Sequence, residues 1–215
     1  MYVKGQTQAV TAVMITGILI GTVAAVYVWG TPLLEKRQSQ AELNQVENDV
    51  VSLGNSIESV ANSGSGAASE SNIRISEGEV FVNETGNYIE VTSFSQNPPY
   101  PTEAWRIIDG SNLQGLTIGA GDYGIQGQDT PGVVAARATQ GGTESQIRYR
   151  IEFRNLFDSG DDEMSYIDIN SAGSPRITGE TSLSVSNQGI ERDEFALETG
   201  ENVDREKTEL RVTLS

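Results

Sequence analysis

Four carboxylates crowd into DSGDDE, residues 158–163. A hard cation such as Ca²⁺ takes several oxygen ligands, and Asp158, Asp161, Asp162 and Glu163 on a tight turn are the chain's candidates for such a site. The spacing is not that of an EF-hand loop, and a solvated acidic turn is the plainer expectation. Asp161 and Asp162 are adjacent, so on a strand they face opposite ways and do not flank a bond as acid and base. GAGDYG places Gly119, Gly121 and Gly124 at G-x-G-x-x-G spacing, but a dinucleotide loop must open a helix. The next residues, IQGQDTPG, cannot start one. Arg148, Arg150 and Arg154 make a basic stripe, expected to pair with carboxylates across a sheet or to meet the acidic face of a neighbouring subunit.

Histidine and cysteine are both absent from the 215 residues. That excludes Ser-His-Asp and Cys-His catalysis and zinc sites built on those ligands. No constellation supports an enzyme, and no cofactor or metal is expected. Thirty acidic residues against 14 Lys and Arg give a net charge of −16. Nucleic acid is not an expected partner, because phosphates are held by Lys and Arg. Lysine occurs only at Lys4, Lys36 and Lys207. Such a composition suits a high-salt medium, where screening relieves self-repulsion, or an ordinary acidic surface.

The elements that carry these residues begin with an apolar segment. From Ala9 to Trp29 there are 21 residues without a charge, enough to span a bilayer core as a helix. Tyr27 and Trp29 stand at its far end, where aromatic belts form. A secretory signal has a shorter apolar core and a small-residue cleavage site after it. The segment therefore reads as retained: a single-span anchor or the core of an assembly. Gly30 and Pro32 mark a kink or break. Beyond them, Leu43, Val46, Val50, Leu53, Ile57 and Val60 are spaced 3, 4, 3, 4, 3, one narrow apolar stripe on a polar helix. The stripe packs either on the chain's own domain or on neighbouring copies. Within the span, Gly17 and Gly21 form a G-x-x-x-G, a place where membrane helices approach closely.

The leader ending in Lys4-Gly5, the polar Gln6-Thr7-Gln8, and the long apolar helix running into an amphipathic one resemble archaeal type IV pilin-like or archaellin-like proteins. The resemblance covers about the first 60 residues. It implies a class III signal peptide cut by a prepilin peptidase between Gly5 and Gln6. It also implies a helix that holds the subunit in the membrane and later packs in a filament core with the help of assembly machinery. The fifth residue of the mature chain is then Val10, where many type IV pilins carry Glu. Basic residues lie on both sides of the span, so charge does not set the orientation. The resemblance places the C-terminal domain outside the cell. Accessory membrane proteins of the archaellum motor share a similar plan without forming filaments.

After the stripe, ANSGSGAASESN, residues 61–72, reads as a flexible linker. From Ile73 the texture changes to short β-branched runs between turn residues: NIRIS, EVFVN, YIEVTSF, QIRYRIEF, YIDIN, TSLSVSN and TELRVTLS. In QIRYRIEF, Ile147, Tyr149, Ile151 and Phe153 share one face. The expected fold is α+β: a transmembrane then amphipathic helix followed by an antiparallel β-sandwich or barrel. Its divisions are a leader at 1–5, a helix at 6–61, a linker at 62–72 and a β-domain at 73–215, which is expected to fold by itself. Residues 98–142 are expected to form long loops. Asn83, in the N-x-S/T sequon NET, falls at a turn signal and is a candidate glycosylation site. The expected function is a structural subunit of a pilus-like filament for adhesion or motility; the alternative is a membrane-anchored extracytoplasmic domain that binds a partner without polymerising.

Overall fold

The structure, a computed structural model, describes residues 4–96, 98–111, 124–142, 144–158, 160, 163–197 and 202–215, with side chains from residue 10 onward. Among the described residues one helix, α1 (Lys4–Asn62), precedes twelve strands. They are β1 (Ala68–Ile73), β2 (Gly78–Asn83), β3 (Tyr88–Ser95), β4 (Arg106–Asp109), β5 (Gly124–Ile125) and β6 (Gly132–Gly141). The chain continues through β7 (Glu144–Phe153), β8 (Leu156–Asp158), β9 (Glu163–Ala172), β10 (Arg176–Thr178), β11 (Thr181–Ala196) and β12 (Asn202–Leu214). The fold is α+β, one long helix followed by a sheet-rich domain. Two compact units are present, residues 1–41 and residues 42–215.

The helix is not broken at Pro32, which lies inside α1. Proline removes one backbone donor from the ladder. Neighbouring turns carry the helix through that point, and Thr31 Oγ1 donates to Tyr27 O at 2.8 Å. The helix ends where glycine lets it end. Ser63 N bonds Val60 O, and Gly64 follows with φ of 84°, a left-handed conformation that costs glycine little. Its last carbonyls, of Val60 and Ala61, accept from the buried Asn187 Nδ2 at 3.2 and 3.1 Å. Carbonyls at a helix end lie beyond the helix's own ladder, and the side chain from β11 gives Ala61 O a partner and Val60 O a second one beside Ser63 N.

The strands form two six-stranded sheets, in the orders β1-β11-β12-β9-β8-β5 and β10-β2-β3-β7-β6-β4. One hydrophobic core joins the α1 stripe to residues of both: Val50, Leu53 and Ile57 on the helix, Ile89, Ile147 and Ile151 on the second sheet, and Ile169, Leu183 and Leu210 on the first. Buried Asn87 ties the sheets together, donating to Ile167 O at 2.6 Å and accepting from Ile169 N at 2.9 Å.

Three expectations are corrected. The pairing is mixed: β12 runs parallel to β9 over residues 204–213, and β5 runs parallel to β8. The C-terminal strand returns after β11 to a central place in the sheet, and its neighbour there points the same way. Residues 98–142 are not all loop, since β6 pairs with β7 along all ten of its residues. Its run GVVAARATQG hides its alternation because alanine marks the inner face weakly. Residues 61–72 are not a loose linker: Gly66 N bonds Asn187 O at 2.9 Å, and β1 pairs with β11 from Ala68 to Ile73.

Candidate membrane and assembly surfaces

The first part of α1 is apolar and uncovered. Among the described residues one helix is long and apolar enough to cross a membrane, with a mean hydropathy of 2.1 over its most apolar window. Val13, Ile18, Val23 and Trp29 are exposed, the last at 83 %. Two threonine hydroxyls in this stretch return to the helix's own carbonyls: Thr16 to Ala12 O and Thr22 to Leu19 O, each at 2.9 Å. Helical backbone and self-bonded threonines reduce the polar demand that hydrocarbon would have to meet. A Cβ at Gly17 or Gly21 meets nothing within 4 Å, so both positions lie on open helix surface.

The stripe has a different fate. Leu43 and Val46 are 3 % exposed, Val50, Leu53 and Ile57 0 %, and Val60 4 %, all within the domain's own core. Of the two packings open to these six residues, the one on neighbouring copies is corrected: their side chains are already covered. Polar positions beside the stripe fasten the same helix. Glu47 accepts from the Tyr100 hydroxyl, Asp49 pairs with Arg74 at 3.3 Å, Ser56 donates to Ser69 at 2.8 Å, and Glu58 Oε1 accepts from Gly132 N at 2.8 Å. Burial raises the Glu58 carboxyl above its ordinary value, and the Gly132 N–H partly offsets this. Burial likewise raises Tyr100 and pushes Tyr149, which meets it edge-on, up to about 12.

The outward face of the second sheet carries a ladder of arginines and rings. Arg176 lies over Phe81 at 4.7 Å, Phe81 meets Tyr88 edge-on, and Arg150 lies over Tyr88 at 3.9 Å. Arg150 and Arg137 both lie against Trp105, at 4.8 and 4.5 Å. The expected carboxylate pairing is present for two of the stripe arginines: Glu90 meets Arg150 at 3.1 Å and Arg148 at 3.8 Å. Arg154 behaves differently. It turns inward, donating to Thr130 O at 3.0 Å and Ser111 O at 2.8 Å. Sequence reasoning missed Trp105 and Arg137. Neither has a local signal, and only the pairing of β6 with β7 brings Arg137 opposite Arg148.

The first sheet's outward face is also ionic. Lys207 meets Glu191 at 2.9 Å, Glu209 at 3.4 Å and Asp168 at 3.5 Å, and these carboxylates raise its pKa. Arg205 binds Asp193 and lies over Tyr166 and Phe195.

The remaining sequence candidates are scattered. Asn83 ends β2 at a turn, where its Nδ2 donates to the Tyr88 hydroxyl at 2.9 Å and its Oδ1 accepts from Gly86 N at 2.8 Å. Asp158 and Glu163 pair across β8 and β9, and Asp158 Oδ1 accepts from Gly160 N at 2.8 Å. Asp161 and Asp162 lie outside the described residues, as do Gly119 and Gly121. Among the described residues no group of three acidic side chains converges on a metal position. Gly5 and Gln6 belong to the first turns of α1, and their surroundings lie outside the described side chains.

No family model, no characterised protein and no solved structure matches this chain.

Proposed function

We propose that this chain is a structural, non-catalytic subunit of a pilus-like surface filament, held in the membrane by the first part of α1 until it assembles. The observation that carries the reading is the division of one helix into two halves of opposite fate. Among the described residues the large apolar side chains from Val10 to Leu34 are exposed, while the stripe from Leu43 to Val60 belongs to the domain core. An apolar helix surface of this size needs lipid or other copies of itself. In this reading a prepilin peptidase cuts between Gly5 and Gln6, and Gly17 and Gly21 sit at contacts between neighbouring helices. The two sheets form a sandwich closed around the stripe, outside the cell, with Asn83 as the glycan acceptor at the turn after β2 once its Nδ2 leaves the Tyr88 hydroxyl.

A second reading is favoured by the burial of the stripe. With those six residues used internally, the chain has less apolar surface for assembly than its sequence suggests. A single-span anchor carrying an extracytoplasmic binding domain fits that observation.

N-terminal sequencing of membrane-extracted protein separates the two readings. A chain that begins at Gln6, and a Gly5→Val variant that stays uncut, support the filament subunit. An intact Met1 supports the plain anchor. Electron microscopy of sheared surface material, from cells that hold the assembly machinery, completes the test. Filaments lost in Gly17→Leu and Gly21→Leu support assembly through the helix. A wild type with neither filaments nor oligomers overturns it.

A further inference from the structure

Two like-charged pairs of opposite sign stand on the domain. On the second sheet Arg137 of β6 is directly opposite Arg148 of β7. On the first sheet Glu194 of β11 is directly opposite Asp204 of β12. Residues so placed on antiparallel strands hold their Cβ atoms about 4.5–5.5 Å apart, and like charges there repel. Each pair holds a residue without an ion-pair partner among the described residues, Arg137 in one and Asp204 in the other. Among the described residues Arg137 has no ion-pair partner; its Nε is buried without a hydrogen bond, and its one contact of note is the Trp105 ring. Arg148 shares Glu90 with Arg150, at the longer distance of 3.8 Å. Glu194 accepts only from Asn202, at 3.3 Å, and Asp204 has no ion-pair partner among the described residues.

The acidic pair also lies where the fold leaves a strand face uncovered. Along β12 the side of the sheet that buries Leu210 and Val212 continues upward to Thr208, Glu206 and Asp204. The matching β11 residues are Ile190, Arg192 and Glu194. β1 pairs with β11 only up to Ser186, so this end of β11 has no strand on its outer side among the described residues. Ile190 is 58 % exposed, an apolar side chain on a face that lower down is core.

We propose that these two pairs are the two halves of one contact between copies of this chain. The Arg137–Arg148 pair of one copy receives the Glu194–Asp204 pair of the next. Charge argues for this occupant: two arginines side by side on one surface can receive two carboxylates side by side on another. Charge-assisted bonds from a guanidinium to a carboxylate are among the strong ones, and the Trp105 ring packed against Arg137 restrains that guanidinium. Sign argues for it too. In a chain of net charge −16, a docking copy brings mostly carboxylates, and the arginine face is a place that accepts them. The two halves are different surfaces, and used head-to-tail they generate rings or open filaments. The inference deepens the assembly reading above by naming a contact between the domains.

The test uses the full chain in membranes that hold its assembly machinery, with an Arg148→Lys substitution and a zero-length carbodiimide that joins amines to carboxylates. Equal amounts of isotopically heavy and light chain are mixed before assembly, so that links between copies are recognised by mass. The expected product is a dimer in which the introduced lysine is joined to Glu194 or Asp204 of the other copy. Combining the substitution with Glu194→Gln and Asp204→Asn should lower the yield by roughly tenfold, the scale expected for loss of a close interfacial charge pair. Circular dichroism melts of each variant show that it is folded. Removing one like-charge pair should leave the melting temperature unchanged or raise it. Filaments or oligomers in which the introduced lysine joins only Glu90 of its own chain overturn this contact and leave the helix-driven assembly standing. The absence of any oligomer overturns both.

Discussion

A fragment beginning at Asn72 should fail to fold, although the composition of the linker suggests a boundary there. The cut removes all of the α1 stripe and most of β1. Six side chains, from Leu43 to Val60, are at most 4 % exposed in the intact domain. Burying a Val, Leu or Ile is worth about 1.5–3 kcal/mol, so the six contribute on the order of 9–18 kcal/mol of transfer free energy. The net stability of a domain is about 5–15 kcal/mol. Deletion therefore removes as much as the whole margin and also opens the apolar residues of both sheets that faced the helix. A fragment beginning at Glu42 keeps the stripe, β1 and the latches at Glu47, Asp49 and Glu58, and should fold. The assay compares 72–215 with 42–215 by far- and near-ultraviolet circular dichroism and by urea titration. The longer fragment should give a cooperative transition. The shorter one should aggregate, or show no near-ultraviolet signal and no transition. A cooperative melt of 72–215 within about 1 kcal/mol of the longer fragment refutes the claim that the stripe is part of the core.

Leu53→Ala, at a fully buried stripe position, should cost about 2–5 kcal/mol by urea denaturation of the 42–215 fragment, whereas Val13→Ala in the uncovered span should leave the domain's transition unmoved. Glu58→Gln keeps an acceptor for Gly132 N and removes the cost of burying a charge. Because burial raises the folded pKa of Glu58, ionisation opposes folding as pH climbs above the ordinary value of 4.5. The variant should therefore gain stability over wild type at neutral pH and lose that gain below about pH 4, read from urea midpoints at several pH values. With a net charge of −16, the chain's urea midpoint should rise between about 0.05 and 1 M NaCl as the Debye length falls from above 10 Å to about 3 Å. A midpoint that falls with salt would mean that attractive pairs such as Glu79–Arg176 and Asp193–Arg205 outweigh the repulsion.

Much of this protein is set by local sequence. The uncharged run from Ala9 to Trp29 is helical, and in a bilayer core, where no water can bond an exposed backbone, a lone span satisfies its own hydrogen bonds only as a helix. The stripe was legible from its spacing, and the burial of Ile147, Tyr149, Ile151 and Phe153 from the alternation of β7, since both periods record which face avoids water. Tertiary structure decided what the stripe avoids water against. A 3-4 apolar spacing is the same whether the covering surface is the chain's own sheets or another copy, and only the core formed by α1 with both sheets settles it. It also decided that residues 61–72 are anchored: Gly64 and Gly66 look like flexibility in sequence, yet Gly66 bonds to Asn187, more than a hundred residues away. The same holds for the surface. Arg137 with Arg148, and Glu194 with Asp204, are ordinary charges in sequence, and become opposed pairs only through strand register, a property of two segments that neither one encodes alone.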